Sequence, residues 1–381
     1  MRVLLVNHGT AAEWGGGDGV QIRETGKRLR QRGHVVDEVN SDQPRAEGYD
    51  LVHIFNCRVQ NSFESQIRCC KQANIPVVVS PIWISLKRAY WGSRGSSSVL
   101  TQATNNFDNN AINLLENLKQ RRLVVMNDGI SFHSSGYTTE ASNSTELISN
   151  LLKEADGLLP NSLLELQAIR SDLNWYDDTF EIAHYGVDPK IFLDASPDQF
   201  RAYSGVNVPF VLQAGRIEPA KNQAMVCWAL KNTNIPIVFI GSGKHWPGYT
   251  DLCKTIAGDK LVVIEHINQE LLASAYAASS VHILASWMET CGLVSLEAAL
   301  SGTPLVASTF GHELEYLEGD AWYADPADPE SINKSINAAI NAGRNSEKTI
   351  KMKRKILEKF NWEQTVDATE KLYKRVLAKK K

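Results

Sequence analysis

The chain has 381 residues, 43% apolar and 22% charged, with 40 Lys and Arg set against 43 Asp and Glu for a formal net charge of −3. That length suits two α/β domains, each large enough to bury its own core, and the apolar content excludes a disordered chain. The near-even charge balance makes no electrostatic case for a nucleic-acid partner.

In chain order, Met1-Arg-Val-Leu-Leu-Val-Asn7 turns polar too soon for a signal peptide and reads as a first core strand over Val3–Val6. Gly15-Gly16-Gly17 makes a loop, and a helix near Val20–Arg32 ends at Gly33, a good residue to follow a helix. Strands follow at Val35–Val39 and Asp50–Phe55, then a helix near Phe63–Gln72 and a strand at Pro76–Val79. Residues 85–110 are polar with weak periodicity and read as a mobile loop; a helix over 109–120, a strand over Leu123–Met126 and a second polar loop to 144 come next. A helix over 145–154 and a strand over Gly157–Pro160 complete the series, and His184-Tyr-Gly-Val-Asp-Pro189 closes the first domain.

The polar segment 194–207 reads as a linker. A second alternation has strands at Pro209–Gln213, Ile237–Ile240, Leu261–Ile264, Val281–Leu284 and Pro304–Ala307, and beyond Asp328-Pro329 the chain reads as helical. Strand and helix signals alternating in this way indicate parallel sheets. No stretch approaches the ~18 apolar residues of a membrane span. The six cysteines, Cys57, Cys69, Cys70, Cys227, Cys253 and Cys291, show no metal-ligand spacing, and a reducing, cytoplasmic setting is expected. Small basic groups at Lys87-Arg88, Arg94 and Arg121-Arg122 suit either solvated surface or contact with an anionic lipid face.

The most informative segment is Glu289-Thr-Cys291-Gly292-Leu293-Val-Ser-Leu-Glu297, two carboxylates separated by seven residues between a strand and a short helix. Glu289 falls in the turn at the carboxyl end of a strand, where open α/β sheets bind ligands. Gly292 lets a ligand approach the backbone, and the helix opening after it offers free N–H groups. Glu297 is expected in the first helical turn, facing the same crevice. A helix N-terminus suits phosphate and two carboxylates suit hydroxyls of sugar and ribose, so the spacing points to a nucleotide-sugar site.

With the strand before it and Ala298-Ala-Leu-Ser-Gly-Thr-Pro304-Leu-Val-Ala after it, this segment resembles the retaining glycosyltransferases of the GT-B type, in particular the family-4 group, the glycosyl transferases group 1. The resemblance implies two Rossmann-like domains facing a central cleft. An N-terminal acceptor-side domain would span 1–190 and a donor-binding domain 191–360, and a helix over 361–381 would cross back to the N-terminal domain. It also implies a hexosyl transfer of the kind used in polysaccharide biosynthesis, with retention of configuration and neither cofactor nor metal.

Other segments extend the likeness. Ala214-Gly215-Arg216-Ile-Glu-Pro-Ala-Lys221-Asn222 follows a strand and is similar to the family's Gly-Arg-Leu-x(3–4)-Lys-Gly, with Asn222 where glycine is common. In the family this arginine and lysine hold the donor diphosphate, and two fixed cations suit that charge. The loop Gly241-Ser-Gly243 resembles the family's Gly-x-Gly turn. Glu265-His266 falls where the family's backbone meets the nucleobase. Gly15-Gly16-Gly17 resembles the loop that approaches phosphate or acceptor; it is no dinucleotide fingerprint, because Val20 stands where the third glycine is needed, and no P-loop occurs.

Thus Glu289, Arg216 and Lys221 are the expected catalytic residues. Gly15, Gly16, Gly17, Gly241, Gly243, His266, Cys291, Gly292, Leu293 and Glu297 are the expected donor contacts. One departure stands out. Many relatives carry a histidine directly after the strand corresponding to Val77–Ser80, and this chain runs Ser80-Pro81-Ile82-Trp83 there. His133 and Asp128 from a neighbouring loop, and Trp83, are the acceptor-side candidates; Trp83, Tyr90 and Trp91 suit stacking on a sugar, packing a lipid chain or anchoring a loop. The expected partners are a nucleotide-sugar donor, a glycan or lipid-linked acceptor and peripheral contact with the inner membrane leaflet, with no nucleic acid. A sugar-nucleotide epimerase of the same fold, or a nucleotide-sugar-binding protein without transfer, stays as the alternative.

Overall fold

The computed structural model describes residues 1–14, 16–84 and 137–379, with the side chains of Trp14 and of 137–144 outside that description. The chain forms two compact units, the first made of the described residues of 1–85, 139–186 and 359–381, the second of 187–358.

In the first unit β1 (Arg2–Asn7), α1 (Ala11–Trp14), α2 (Gly17–Gln31), β2 (Val35–Asn40), β3 (Leu51–Phe55), α3 (Gln60–Gln72) and β4 (Val77–Ser80) are followed by α4 (Tyr137–Leu152), β5 (Gly157–Leu158) and α5 (Leu163–Leu173). The five strands form a parallel sheet in the order β2-β1-β3-β4-β5, with Val3 opposite both Val36 and Leu51. Every residue of β3 and β4 is buried, which is why these strands read as unbroken apolar runs. The mobile loop over 85–110, the helix over 109–120 and the strand over 123–126 lie outside the described residues. The expected loop to 144 is corrected in part, since helix α4 already begins at Tyr137.

The second unit holds α6 (Pro189–Phe192), α7 (Asp198–Ser204), β6 (Val211–Ala214), α8 (Gln223–Leu230), β7 (Ile237–Ile240), α9 (Pro247–Ala257), β8 (Leu261–Ile264), α10 (Gln269–Ala278), β9 (Val281–Leu284), α11 (Leu293–Leu300), β10 (Leu305–Ser308), α12 (Glu313–Leu317), β11 (Trp322–Ala324), α13 (Pro329–Ala342) and α14 (Glu347–Lys359). Its six strands are parallel in the order β11-β10-β9-β6-β7-β8. The core is built from Val211, Met225, Leu230, Phe239 and Ile283 with Ile332 and Ile336 from α13. The segment expected as a linker carries helix α7 instead. Its polar composition hides one buried residue, Phe200, whose ring lies 5.7 Å from that of Phe210 and whose N–H donates to Ser274 Oγ at 2.9 Å. The short strand β11 was not expected at all.

The chain ends in α15 (Trp362–Lys379), which belongs to the first unit. Val366, Leu372, Tyr373 and Val376 join Val3, Leu5, Leu29 and Phe55 in that unit's core. Below them runs a buried polar chain. His53 on β3 bonds Tyr373 Oη at 2.7 Å and Ser80 Oγ at 2.9 Å, Gln21 donates to Ser80 Oγ at 3.3 Å, and Tyr185 Oη donates to Gln21 at 2.6 Å. Burial keeps His53 neutral, its pKa pushed down to about 3. On the surface Arg32 meets Glu363 at 2.8 Å and Asp367 at 2.6 Å, pairs that contribute little each in water. No helix among the described residues is long and apolar enough to cross a membrane.

Gly186 sits against the backbone of Asn361 and Trp362, and a Cβ there would overlap main-chain atoms that cannot rotate aside. Gly186→Ala is expected to cost about 2 kcal/mol through overpacking. Hydrogen exchange should then accelerate in 361–379 while the second unit keeps its protection; unchanged exchange in α15 would refute this account of the packing.

Candidate functional site

In the second unit the loops after β6, β7, β9 and β10 gather the residues that sequence spacing singled out. After β6, Gly215 leads to Arg216, whose guanidinium takes the Glu218 carboxylate in two bonds of 3.1 Å each. After β7, a Cβ on Gly241 would overlap the Gly215 carbonyl, so glycine is needed for close approach of two main chains. A 3-10 turn over Pro219–Lys221 then ends at Asn222 in the left-handed region, φ 62°.

The Asn222 side chain explains its presence where a glycine was anticipated. Asn tolerates this backbone, and its Nδ2 donates to the buried carbonyls of Ala285 at 3.0 Å and Pro326 at 2.8 Å. The turn is braced further by Gln213 Nε2 on the Lys221 carbonyl and Gln223 Nε2 on the Arg216 carbonyl, both at 2.8 Å. Trp287 N–H donates to the Ala220 carbonyl at 3.0 Å, tying this turn to the loop after β9.

Across that tie the Lys221 ammonium pairs with the Glu289 carboxylate, whose side chain is 8% exposed against 20% for the lysine. The structure therefore brings Lys221 and Glu289 together, while Arg216 is engaged by Glu218. Gly292 caps α11 with φ 66°, and Cys291 beside it is buried. Glu297 is the fifth residue of α11 rather than a member of its first turn, because the helix opens at Leu293. Its carboxyl accepts from Tyr276 Oη at 3.0 Å. Burial pushes its pKa up to about 7, with the Tyr276 bond opposing the rise.

One acid in this cluster was not anticipated. Glu313, the first residue of α12, is fully buried with its carboxyl against Gly292 and 3.5 Å from Ser295 Oγ. Burial, and then the charge of Glu289, hold it well above the usual carboxylate range. Its only sequence signal is a position just after a strand and a glycine turn. Gly243 lies beside Thr250, and His266 is exposed after β8.

In the first unit, Gly16 and Gly17 open α2. Gly15, Asp128 and His133 lie outside the described residues. Trp83 is corrected to a core anchor: it is 1% exposed, its N–H donates to Glu165 Oε1 at 2.6 Å and its indole to Asp172 Oδ2 at 3.0 Å. Ser80, the last residue of β4, is taken by His53, and Ile82 holds a left-handed φ of 50° that a β-branched residue rarely adopts. Spacing also missed a polar group at the carboxyl ends of β1 and β3. His8 Nε2 lies 3.6 Å from Asp18, Asn56 donates to Asp18 at 3.4 Å, and Arg58 bonds Asn56 Oδ1 at 3.3 Å. Burial opposes ionisation of Asp18, but His8, the Gly19 N–H, Asn56 and Arg58 together hold its pKa at about 2.

Residues 198–356 match the family described as glycosyl transferases group 1. A D-inositol 3-phosphate glycosyltransferase of Mycolicibacterium smegmatis is 29% identical over 170 residues, covering 42% of this chain and 39% of that protein. The chain thus spans about two fifths of the length of that curated relative. Among solved structures, a sucrose-phosphate synthase from Thermosynechococcus elongatus superposes with a TM-score of 0.75 at 17% identity, covering 100% of both chains. Anabaena HepE, solved in complex with UDP-glucose, gives 0.72 at 16% identity over 98% of this chain and 100% of its own. At these identities the likeness establishes the fold, two Rossmann-like domains of the GT-B kind.

Two outcomes follow from the geometry. Asn222→Ala is expected to cost about 2–4 kcal/mol in denaturant unfolding of the second unit, because two buried carbonyls lose their donor and Ala is strained at this φ. Asn222→Gly should lie about 1 kcal/mol closer to wild type; equal losses would remove the strain argument. The second concerns pH. Glu297 binds its proton more tightly folded than unfolded, so stability is highest below the usual 4.5 and falls as pH rises through about 7. Glu297→Gln should make that fall shallower in thermal unfolding.

Proposed function

We infer that this chain, whose residues 198–356 match the glycosyl transferases group 1 family, transfers a sugar from a nucleotide-diphosphate donor with retention of configuration and without a metal. The observation that carries the reading is the Lys221–Glu289 pair, which joins the Gly-Arg-x(4)-Lys turn to the first carboxylate of the Glu-x7-Glu segment inside the matched region. A diphosphate taken by Lys221 and Arg216, with the α11 N-terminus beside it, has its growing negative charge offset where the leaving group departs. This is the support for transfer without a metal. Glu289 released from Lys221 then accepts from sugar hydroxyls, and Glu297 from the ribose. The main-chain N–H groups after Cys291 and Gly292, the Gly241–Gly243 turn and the backbone near His266 complete the donor contacts.

On this reading the first unit receives the acceptor, a glycan, a lipid-linked sugar or a small polyol, at the cytoplasmic face of the membrane. Retention follows the family's front-face route, in which the leaving phosphate helps to deprotonate the acceptor hydroxyl.

Calorimetry with UDP, GDP, ADP and TDP tests the donor site. One of the four should bind at about micromolar strength, and Arg216→Ala should weaken it by about 10- to 100-fold, the worth of a bond to a charged group. A folded protein that binds none of the four defeats the reading. For pH, a ribose hydroxyl bonds an ionised carboxylate more strongly than a neutral carboxyl, so affinity should rise from pH 6 to 8 by up to ~10-fold as Glu297, with its pKa of about 7, loses its proton. Glu297→Gln should abolish that part of the rise.

A further inference from the structure

Glu313 has no place in the transfer scheme above, yet it is fully buried. The chain leaves β10 at Ser308 and turns through Gly311, packed against the main chain of Glu289, and the His312 N–H donates to the Glu289 carbonyl at 2.8 Å. That turn delivers Glu313 into the interior. Any side chain at Gly292 would overlap its carboxyl, and Ser295 Oγ, in the first turn of α11, lies 3.5 Å away. The titratable groups around it are Glu289 and Cys291 from the loop before α11, Lys221 from the turn after β6, Tyr323 from β11 and Tyr316 on its own helix.

Lys221 is the single cation in that set, and its ammonium is paired with Glu289. Among the described residues no Lys, Arg or His makes an ion pair with Glu313. Two carboxylates sharing one lysine in a dry loop cannot both stay charged without a large cost. Glu289 is in contact with the ammonium, and Glu313, without a cation of its own, is pushed by burial toward its protonated form.

We propose that Glu313 is a positioning residue of the donor site, a buried acid that props the Gly292 turn and the start of α11 and leaves Lys221 to Glu289. The proposal rests on the donor reading given above. A diphosphate arriving at Lys221 competes with Glu289 for the ammonium. Glu289 can give up that cation when no second negative charge sits behind it, which is what the protonated form of Glu313 provides. An ionised Glu313 would instead hold Lys221 inside the protein and repel phosphate from the N–H groups that open α11. Ionisation of Glu313 as pH rises should therefore lower donor affinity, an alkaline decline opposed to the rise contributed by Glu297.

The experiment combines infrared spectroscopy with calorimetry on the full chain. Across a pH series, wild type should show a protonated-carboxyl C=O band that persists above the usual carboxylate range and that Glu313→Gln lacks. Of UDP, GDP, ADP and TDP, the nucleotide that binds wild type should bind Glu313→Leu at least ~10-fold more weakly. Glu313→Gln, which keeps size and neutrality, should recover most of that loss and lack the alkaline decline. Should Glu313→Leu fail to fold, the pH profiles of wild type and Glu313→Gln still decide. A missing acid band, a Gln variant as weak as the Leu variant, or an alkaline decline that persists in Glu313→Gln would overturn the proposal while nucleotide binding by wild type leaves the donor reading intact. Absence of any nucleotide binding by wild type would overturn both.

Discussion

The charge balance around Lys221 is the constraint on which the second unit's site depends. One ammonium, two carboxyls and a helix N-terminus converge within a few side-chain lengths, and most of this cluster is closed to water. In such a place each added charge is costly unless a partner meets it. Beside the Lys221–Glu289 pair stand two acids with raised pKa values, Glu297 at about 7 next to the Tyr276 hydroxyl and Glu313 well above the usual carboxylate range. On the proposed reading, a diphosphate arriving at Lys221 would exchange partners with a carboxylate in this arrangement.

Geometry upholds that balance from the strands outward. Lys221 reaches Glu289 because β6 and β9 are hydrogen-bonded neighbours, so the turns at their carboxyl ends share one edge of the sheet. Asn222 lets the first turn double back, and the Trp287 bond to Ala220 fixes the second against it. The first unit has a comparable edge, where His8, Asp18, Asn56 and Arg58 stand at the ends of β1 and β3, but there the anion is kept and strongly stabilised.

Much of this was legible from residue order. Ile237–Ile240, Leu261–Ile264 and Val281–Leu284 form strands at the anticipated residues because each is a short, mainly apolar run. Helix α13 begins where Asp328-Pro329 announces it, with the Asp328 side chain accepting from the Glu330 N–H at 3.0 Å. What escaped was decided by contacts distant in sequence. Helix α7 hides in a polar stretch because a single aromatic, Phe200, anchors it. Trp83 looked available for stacking until Glu165 and Asp172, some eighty residues onward, claimed its N–H groups. Glu297 was expected in the first turn, but a helix that opens at Leu293 makes it the fifth residue, just past that turn. Glu313 was invisible for the same kind of reason: nothing local tells a buried glutamate from a solvated one at the start of a short helix.

Helix α15 has a consequence for how the chain comes into being. The first unit is the first to be synthesised, yet four of its core residues, Val366, Leu372, Tyr373 and Val376, are encoded after the whole of the second unit. A nascent chain must therefore carry an unfinished hydrophobic sheet through the translation of 187–358, with Tyr373 not yet present to meet His53. The second unit can close its own core during that interval, domain by domain. The part made first is the last to be completed, and it is this half that a chaperone would have to shelter.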